Sequence, residues 1–178
     1  FKSMVQKCDM VASVEAALTD LKAVCEYYAM CGDPVTQHDR LIINASLAWA
    51  VFLASHPGRT GEWMRLVVSQ LDEAKAHGAE FIKFHKYKPS KRYGICAKWV
   101  APCVWTAFDV AMPTLSSEFV FEPAKVGGQT LTSHSLLHKA ASVYTPTRPP
   151  PTGTILRKFW DSQRTDKGVV RQLDAVFA

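Results

Sequence analysis

Apolar side chains recur along residues 9–30 at Val11, Val14, Leu18, Leu21, Cys25 and Tyr28. Steps of three and four are the stripe of an amphipathic helix. Cys31-Gly32-Asp33-Pro34 closes it, because glycine suits a C-terminal cap and proline cannot continue a helix. Thr36 is placed to cap the next helix, over 37–55, with Asp39 in its first turn. Leu41, Ile42, Ile43, Leu47, Trp49, Val51, Phe52 and Leu53 make that helix apolar on almost every side, which predicts the buried centre of the fold. His56-Pro57-Gly58 breaks it, and a third helix is predicted from Thr60 to Gln70. Gly78 closes a further short helical or turn segment.

The pattern then changes. Residues 81–87 and 93–100 are rich in aromatic and β-branched side chains and flank the turn sequence Lys88-Pro89-Ser90-Lys91, which predicts a β-hairpin. Pro102 opens a helix over 102–112. Residues 113–128 read as loop, with a short strand at 119–121. Thr132 or Ser133 caps a helix over 134–143. The proline-rich 144–151 is an extended connector. It delivers a capped helix start at Thr152-Gly153-Thr154, with Arg157 one turn in. A last helix is predicted over 166–178, apolar at Val169, Val170, Leu173 and Phe177. The fold class is mainly α with a small antiparallel hairpin (α+β).

Composition narrows the class. The 178 residues are 48% hydrophobic and 21% charged, the balance of one globular domain with a real core. Net charge is +5 and the pI about 9.0, which permits a polyanionic partner. Five cysteines, Cys8, Cys25, Cys31, Cys96 and Cys103, include no CxxC pair, so they read as reduced thiols in a nuclear or cytoplasmic protein. The apolar run 41–55 is interrupted by Asn44 and Ser46 and is too short to span a bilayer, so no membrane partner is expected. No signal-peptide pattern is present, and the Phe-Lys-Ser start reads as part of something longer. His134 and His138 share a helix face, but without a third ligand they read as surface histidines; no metal or cofactor is expected.

Charge is concentrated in two places. Lys83, Lys86, Lys88, Lys91, Arg92 and Lys98 occupy the hairpin, with no acid between residues 81 and 108. Such a finger suits a phosphate backbone; equally, lysines defend a solvated sheet edge. Arg59 stands at a predicted helix start, with Glu62 one turn later. A guanidinium beside helix amides can grip a phosphate, or the two side chains can form a local i,i+3 ion pair.

Three features follow in a fixed order: Arg59-x-x-Glu62 at a helix start, a lysine on a basic hairpin, and Thr154-x-x-Arg157 at a late helix start. This order resembles the catalytic domain of the tyrosine recombinases, the phage-integrase family, with the eukaryotic crypton-like transposon branch nearest in character. The first box reads Gly58-Arg59-Thr60-Gly61-Glu62-Trp63-Met64-Arg65-Leu66, with the acidic Asp72 further on; the second reads Thr154-Ile155-Leu156-Arg157-Lys158. The resemblance covers residues 36–178 and makes 1–35 an N-terminal helix and linker.

The resemblance implies DNA recombination or integration: metal-free transesterification at a phosphodiester of double-stranded DNA, with room for a homo-oligomer on the DNA. Arg59 and Arg157 would bind the non-bridging oxygens, and Lys88, or alternatively Lys86, would protonate the leaving oxygen. Glu62 would support Arg59, and Thr154 stands where the family has a histidine. Lys83, Lys86, Lys91, Arg92, Arg65, Lys158, Arg148 and Arg164 would hold the backbone. The family's tyrosine nucleophile lies beyond the second box, whereas Tyr27, Tyr28, Tyr87, Tyr93 and Tyr144 all precede it. Two alternatives stand beside this reading: a domesticated, inactive transposon-derived module that binds DNA or protein, and an unrelated helical interaction domain.

Overall fold

The computed structural model describes residues 7–55, 59–85, 95–146 and 149–163. Helix α1 (Lys7–Cys31) carries the expected stripe, burying Met10, Val14, Ala17, Leu21 and Cys25. Helix α2 (Gln37–Ala54) begins at Thr36, whose hydroxyl accepts the amide of Asp39 at 3.1 Å. From Ile43 to Ala54 every residue of α2 is buried, so this helix is the axis of the core. It packs against α1, α5 (Pro102–Ala111) and α6 (Ser133–Tyr144). Trp49 is fully buried and donates its indole N–H to Ser13 Oγ at 3.1 Å, which fixes α1 along α2. Helix α6 is capped by Thr132, which accepts from Ser135 N at 3.1 Å.

The third predicted helix is two helices. Helix α3 spans only Thr60–Met64, and α4 runs Val68–Ala76. Between them the chain is drawn out by a distant segment. Leu66 O accepts from Val120 N at 3.1 Å, and Val68 N donates to Glu118 O at 2.8 Å. Val67 forms a β-bridge with Phe119. The helical pattern loses locally because these backbone groups find partners some fifty residues away. The strand expected at 119–121 is therefore only this bridge. The 113–128 stretch also holds a 3-10 turn, Met112–Thr114, and the start of a small hairpin where the sequence predicts loop. Its strands β3 (Lys125–Val126) and β4 (Gln129–Thr130) pair antiparallel through Gly127 and Gly128, whose φ values of 59° and 83° favour glycine.

The basic hairpin keeps its base. Strands β1 (Phe81–Phe84) and β2 (Cys96–Trp99) pair antiparallel with Ile82 opposite Lys98 and Phe84 opposite Cys96. Its tip, with Lys86, Lys88, Lys91 and Arg92, lies outside the described residues. So do Arg148, Arg164 and the helix expected over 166–178. Helix α7 (Gly153–Gln163) starts at Thr152, whose hydroxyl accepts from Ile155 N at 3.3 Å. Among the described residues no helix is long and apolar enough to cross a membrane.

Two core groups make the fold sensitive to alkali. Burial pushes the Cys25 thiol up from 9.0 to about 11, against an opposing pull from Arg40. Burial, together with its hydrogen bond to Asp20 Oδ2 at 2.7 Å and that carboxylate's charge, raises the Tyr144 phenol well above its usual value. In the unfolded chain both groups lose protons at their ordinary values, while the folded chain holds them. Between about pH 9 and 11 the folded state binds more protons, so stability falls as pH rises. Denaturant unfolding across that window should show a declining midpoint. Tyr144→Phe should cost about 0.5–1.5 kcal/mol at neutral pH and flatten the upper part of the decline.

Candidate functional site

The short helix α3 is where the separate motifs meet. Contacts from its one turn reach three different elements. Trp63, fully buried, sets its ring edge-on to Phe84 of β1 with centroids 5.1 Å apart. Glu62 lies with Oε2 3.6 Å from Lys98 Nζ on β2, both side chains only 7% exposed. Thr60 abuts the start of α7: a Cβ built on Gly153 would stand 2.9 Å from Thr60 Oγ1 and 3.2 Å from Leu137 Cδ2. A side chain at 153 would force Thr60 Oγ1 and Leu137 to shift, so glycine suits this close approach of the two helix starts.

This geometry decides where the sequence candidates stand. Arg59 is the residue before α3, extended at φ −71° and ψ 145°, with an exposed side chain. Thr154 and Arg157 begin α7, the helix whose first residue touches Thr60. Arg157 is half-buried and its Nη2 donates to Thr154 Oγ1 at 3.4 Å. The two boxes, about a hundred residues apart in the chain, thus open side by side. The base of the hairpin packs on the same turn through Phe84 and Lys98.

Glu62 does not pair with the Arg59 guanidinium. Its Oε2 accepts the Arg59 backbone N–H at 3.0 Å and faces Lys98. That is half of a capping box; the other half is absent because an arginine side chain has no acceptor. Among the described residues the Arg59 guanidinium has no ion-pair partner, and its side chain is exposed. The expected contribution from the helix amides is smaller than the sequence suggested. A single turn has little macrodipole, so any anion affinity here comes from the guanidinium groups.

The backbone-binding candidates divide. Arg65 is exposed, with Nε donating to Gly61 O at 2.9 Å. Lys158 is exposed on α7. Lys83 is exposed but lies 3.7 Å from Glu73 Oε1, which offsets part of its charge. Lys98, counted with the basic face by composition, is buried, with its ammonium 5.7 Å from the Phe84 ring centroid. Strand alternation could have found it: Lys98 sits two residues before buried Val100, on the inward face. His134 and His138 are both exposed, and among the described residues no group of three His, Cys, Asp or Glu is placed to hold a metal.

A second polar cluster carries no local signal in the sequence. Arg40 of α2 is 4% exposed and donates Nη2 to Thr114 O at 2.5 Å, with Glu122 Oε2 at 3.3 Å. The Glu122 carboxylate also accepts the amides of Ser116 and Ser117. Burial lowers the pKa of Arg40, opposed chiefly by Glu122. These partners are more than seventy residues apart, so no local spacing announces them.

Comparison with protein-family models, with curated proteins and with solved structures gave no match.

Proposed function

We propose that this chain binds double-stranded DNA at a phosphodiester, as the two-arginine part of a tyrosine-recombinase-like site. The observation that supports the reading is the contact of Thr60 with Gly153, which sets the Arg59 and Arg157 segments against each other. Two guanidinium groups at one phosphate offer forked donors and cannot be neutralised near pH 7. In a breaking and rejoining reaction they would stabilise the added charge on the non-bridging oxygens, a role typically worth about 3 kcal/mol per donor. A hairpin lysine, Lys88 or Lys86, would be the proton donor to the leaving oxygen. Glu62 and Lys98 position the Arg59 backbone and the hairpin base and touch no DNA.

Thr154 favours a second reading, a DNA- or protein-binding module that does not cut. A hydroxyl cannot serve as general base near neutral pH, and this one accepts from Arg157. A denaturant-resistant protein–DNA adduct would speak for cutting; duplex binding without an adduct would favour the module.

Duplex binding itself is tested by gel shift. With about four phosphates neutralised, affinity should fall about a hundredfold between about 50 and 200 mM salt. Weak binding indifferent to salt would remove the DNA reading. Arg59→Ala and Arg157→Ala should each weaken binding by about tenfold. If both hold one phosphate, the double variant loses less than the product of the two. Strictly multiplicative losses would place the arginines on separate phosphates.

A further inference from the structure

A cavity of about 350 Å³ lies between the end of α1, the turn that follows it, the first turn of α2 and the 113–123 segment. Arg40 and Glu122, both buried, line it, and so does the exposed Gln37. Gln37 and Arg40 are three apart on α2, so they share one helix face. Their donors are not used up. Arg40 Nη2 donates to Thr114 O at 2.5 Å and faces Glu122 Oε2 at 3.3 Å, and Nη1 reaches Thr114 Oγ1 at 3.4 Å. The Nε hydrogen and one on Nη1 have no partner among the described residues. Gln37 Oε1 accepts the Lys125 N–H at 3.0 Å, which fixes the amide orientation because a backbone N–H only donates. Gln37 Nε2 is then a further donor with no partner among the described residues. Charge points the same way. Glu122 divides its carboxylate between Arg40 and the Ser116 and Ser117 amides. Burial still draws Arg40 below its usual pKa against that pull, so one shared carboxylate does not offset the desolvation of the guanidinium.

We propose that this cavity binds a small organic carboxylate with a flat apolar body, its carboxylate on Arg40 and Gln37. Pro34, Val35, Pro113 and Pro123 supply the apolar wall for the body. The volume holds about a dozen non-hydrogen atoms, at the roughly 30 Å³ that a water takes in the liquid. Cys25 and Tyr28 close the α1 side without competing for the guanidinium. Burial keeps the thiol protonated, and Tyr28 gives its hydroxyl hydrogen to Asp39. Asp33 also borders the space, but it is exposed, where water and salt screen its charge. The cavity stands at the start of α2, whereas Arg59 follows the end of that helix, so the acid site stands or falls apart from the phosphodiester reading.

The test is calorimetric titration of the intact chain with cinnamate, cinnamamide and acetate. The first two share size and shape and differ in charge, and acetate has the charge without the body. Cinnamate should bind at least about tenfold more tightly than either. Gln37→Glu keeps the acceptor for Lys125 and sets a negative charge beside the bound acid. It should weaken cinnamate about tenfold while leaving the melting temperature no lower, because an acidic residue suits a helix start. Ala29→Trp, at an exposed position of α1 that borders the cavity, should weaken it as much by taking up the space. In the parent chain the amide resonances of Ser116 and Ser117, which donate to Glu122, should shift as cinnamate saturates. Equal binding of the acid and the amide, equal binding of acetate, indifference to either variant, unmoved Ser116 and Ser117 resonances, or no saturable binding of cinnamate would each overturn the proposal.

Discussion

Lys98→Met is expected to lower the unfolding free energy by about 3–5 kcal/mol, a large share of the roughly 5–15 kcal/mol that holds a domain folded. The reason is what remains rather than what is removed. Methionine fits the volume and the apolar contact with Phe84, but it leaves the Glu62 carboxylate buried 3.6 Å from where the ammonium stood. The hydrogen bond from Arg59 N, at 3.0 Å, is a weak substitute for a full opposite charge. The double variant Lys98→Met/Glu62→Gln removes both charges and keeps an amide oxygen to accept the same N–H. It should recover most of the loss, since a buried pair exchanged for neutral groups is often close to neutral. Urea unfolding of the four-member cycle reads this directly. A single-variant loss below about 1 kcal/mol would mean that water reaches the pair, as at exposed salt bridges. A DNA shift assay on the double variant then asks whether the pair merely stabilises. Glu62 anchors the Arg59 backbone, so if the substituted amide still caps α3, duplex affinity should persist too.

Arg40→Met should be of similar size, about 3–5 kcal/mol, by the same asymmetry at the other end of the core. Arg40 reaches out of α2 to Thr114 and Glu122 and so ties the 112–124 segment to the central helix. Without it, Glu122 keeps its two amide donors but loses its counter-charge while 7% exposed. Hydrogen exchange should therefore quicken at Ser116 and Ser117, whose N–H groups depend on that carboxylate, before it quickens in α1. Arg40→Lys should not rescue fully, because one ammonium cannot reach both the carbonyl and the carboxylate in a fork. Unaltered exchange at Ser116 and Ser117 in a destabilised Arg40→Met chain would show that the arginine acts through α2 packing instead.

How far the chain could be read in advance depends on where the deciding partner sits. Three capped helix starts were legible, at Thr36, at Thr132 or Ser133, and at Thr152, because each cap and its amide lie three residues apart. The all-round apolar character of 41–53 announced a central helix. The break after Met64 was not legible, since Val67 and Phe119 form their bridge across the fold. The hairpin base was legible from its β-rich runs, but the burial of Lys98 was masked by counting charges without asking which way alternate residues face. At the candidate site, each arginine could be placed at a helix start. The close approach of the two helix starts runs through Gly153, where the missing side chain leaves room for Thr60. A glycine after a proline-rich connector reads locally as a cap, and nothing in its neighbours tells that another helix leans on it.

Residues 31–34, between α1 and α2, are exposed, while both helices they join lose their apolar faces to each other and to the rest of the core. A protease that nicks the chain there would cut a covalent link without cutting the interior, because Trp49 and Ser13 stay joined across the seam. The severed N-terminal piece should stay in place through gel filtration and separate only in denaturant. Mixed afresh, the two pieces should reassemble, so that α1 serves as a wall of the interior with or without its tether.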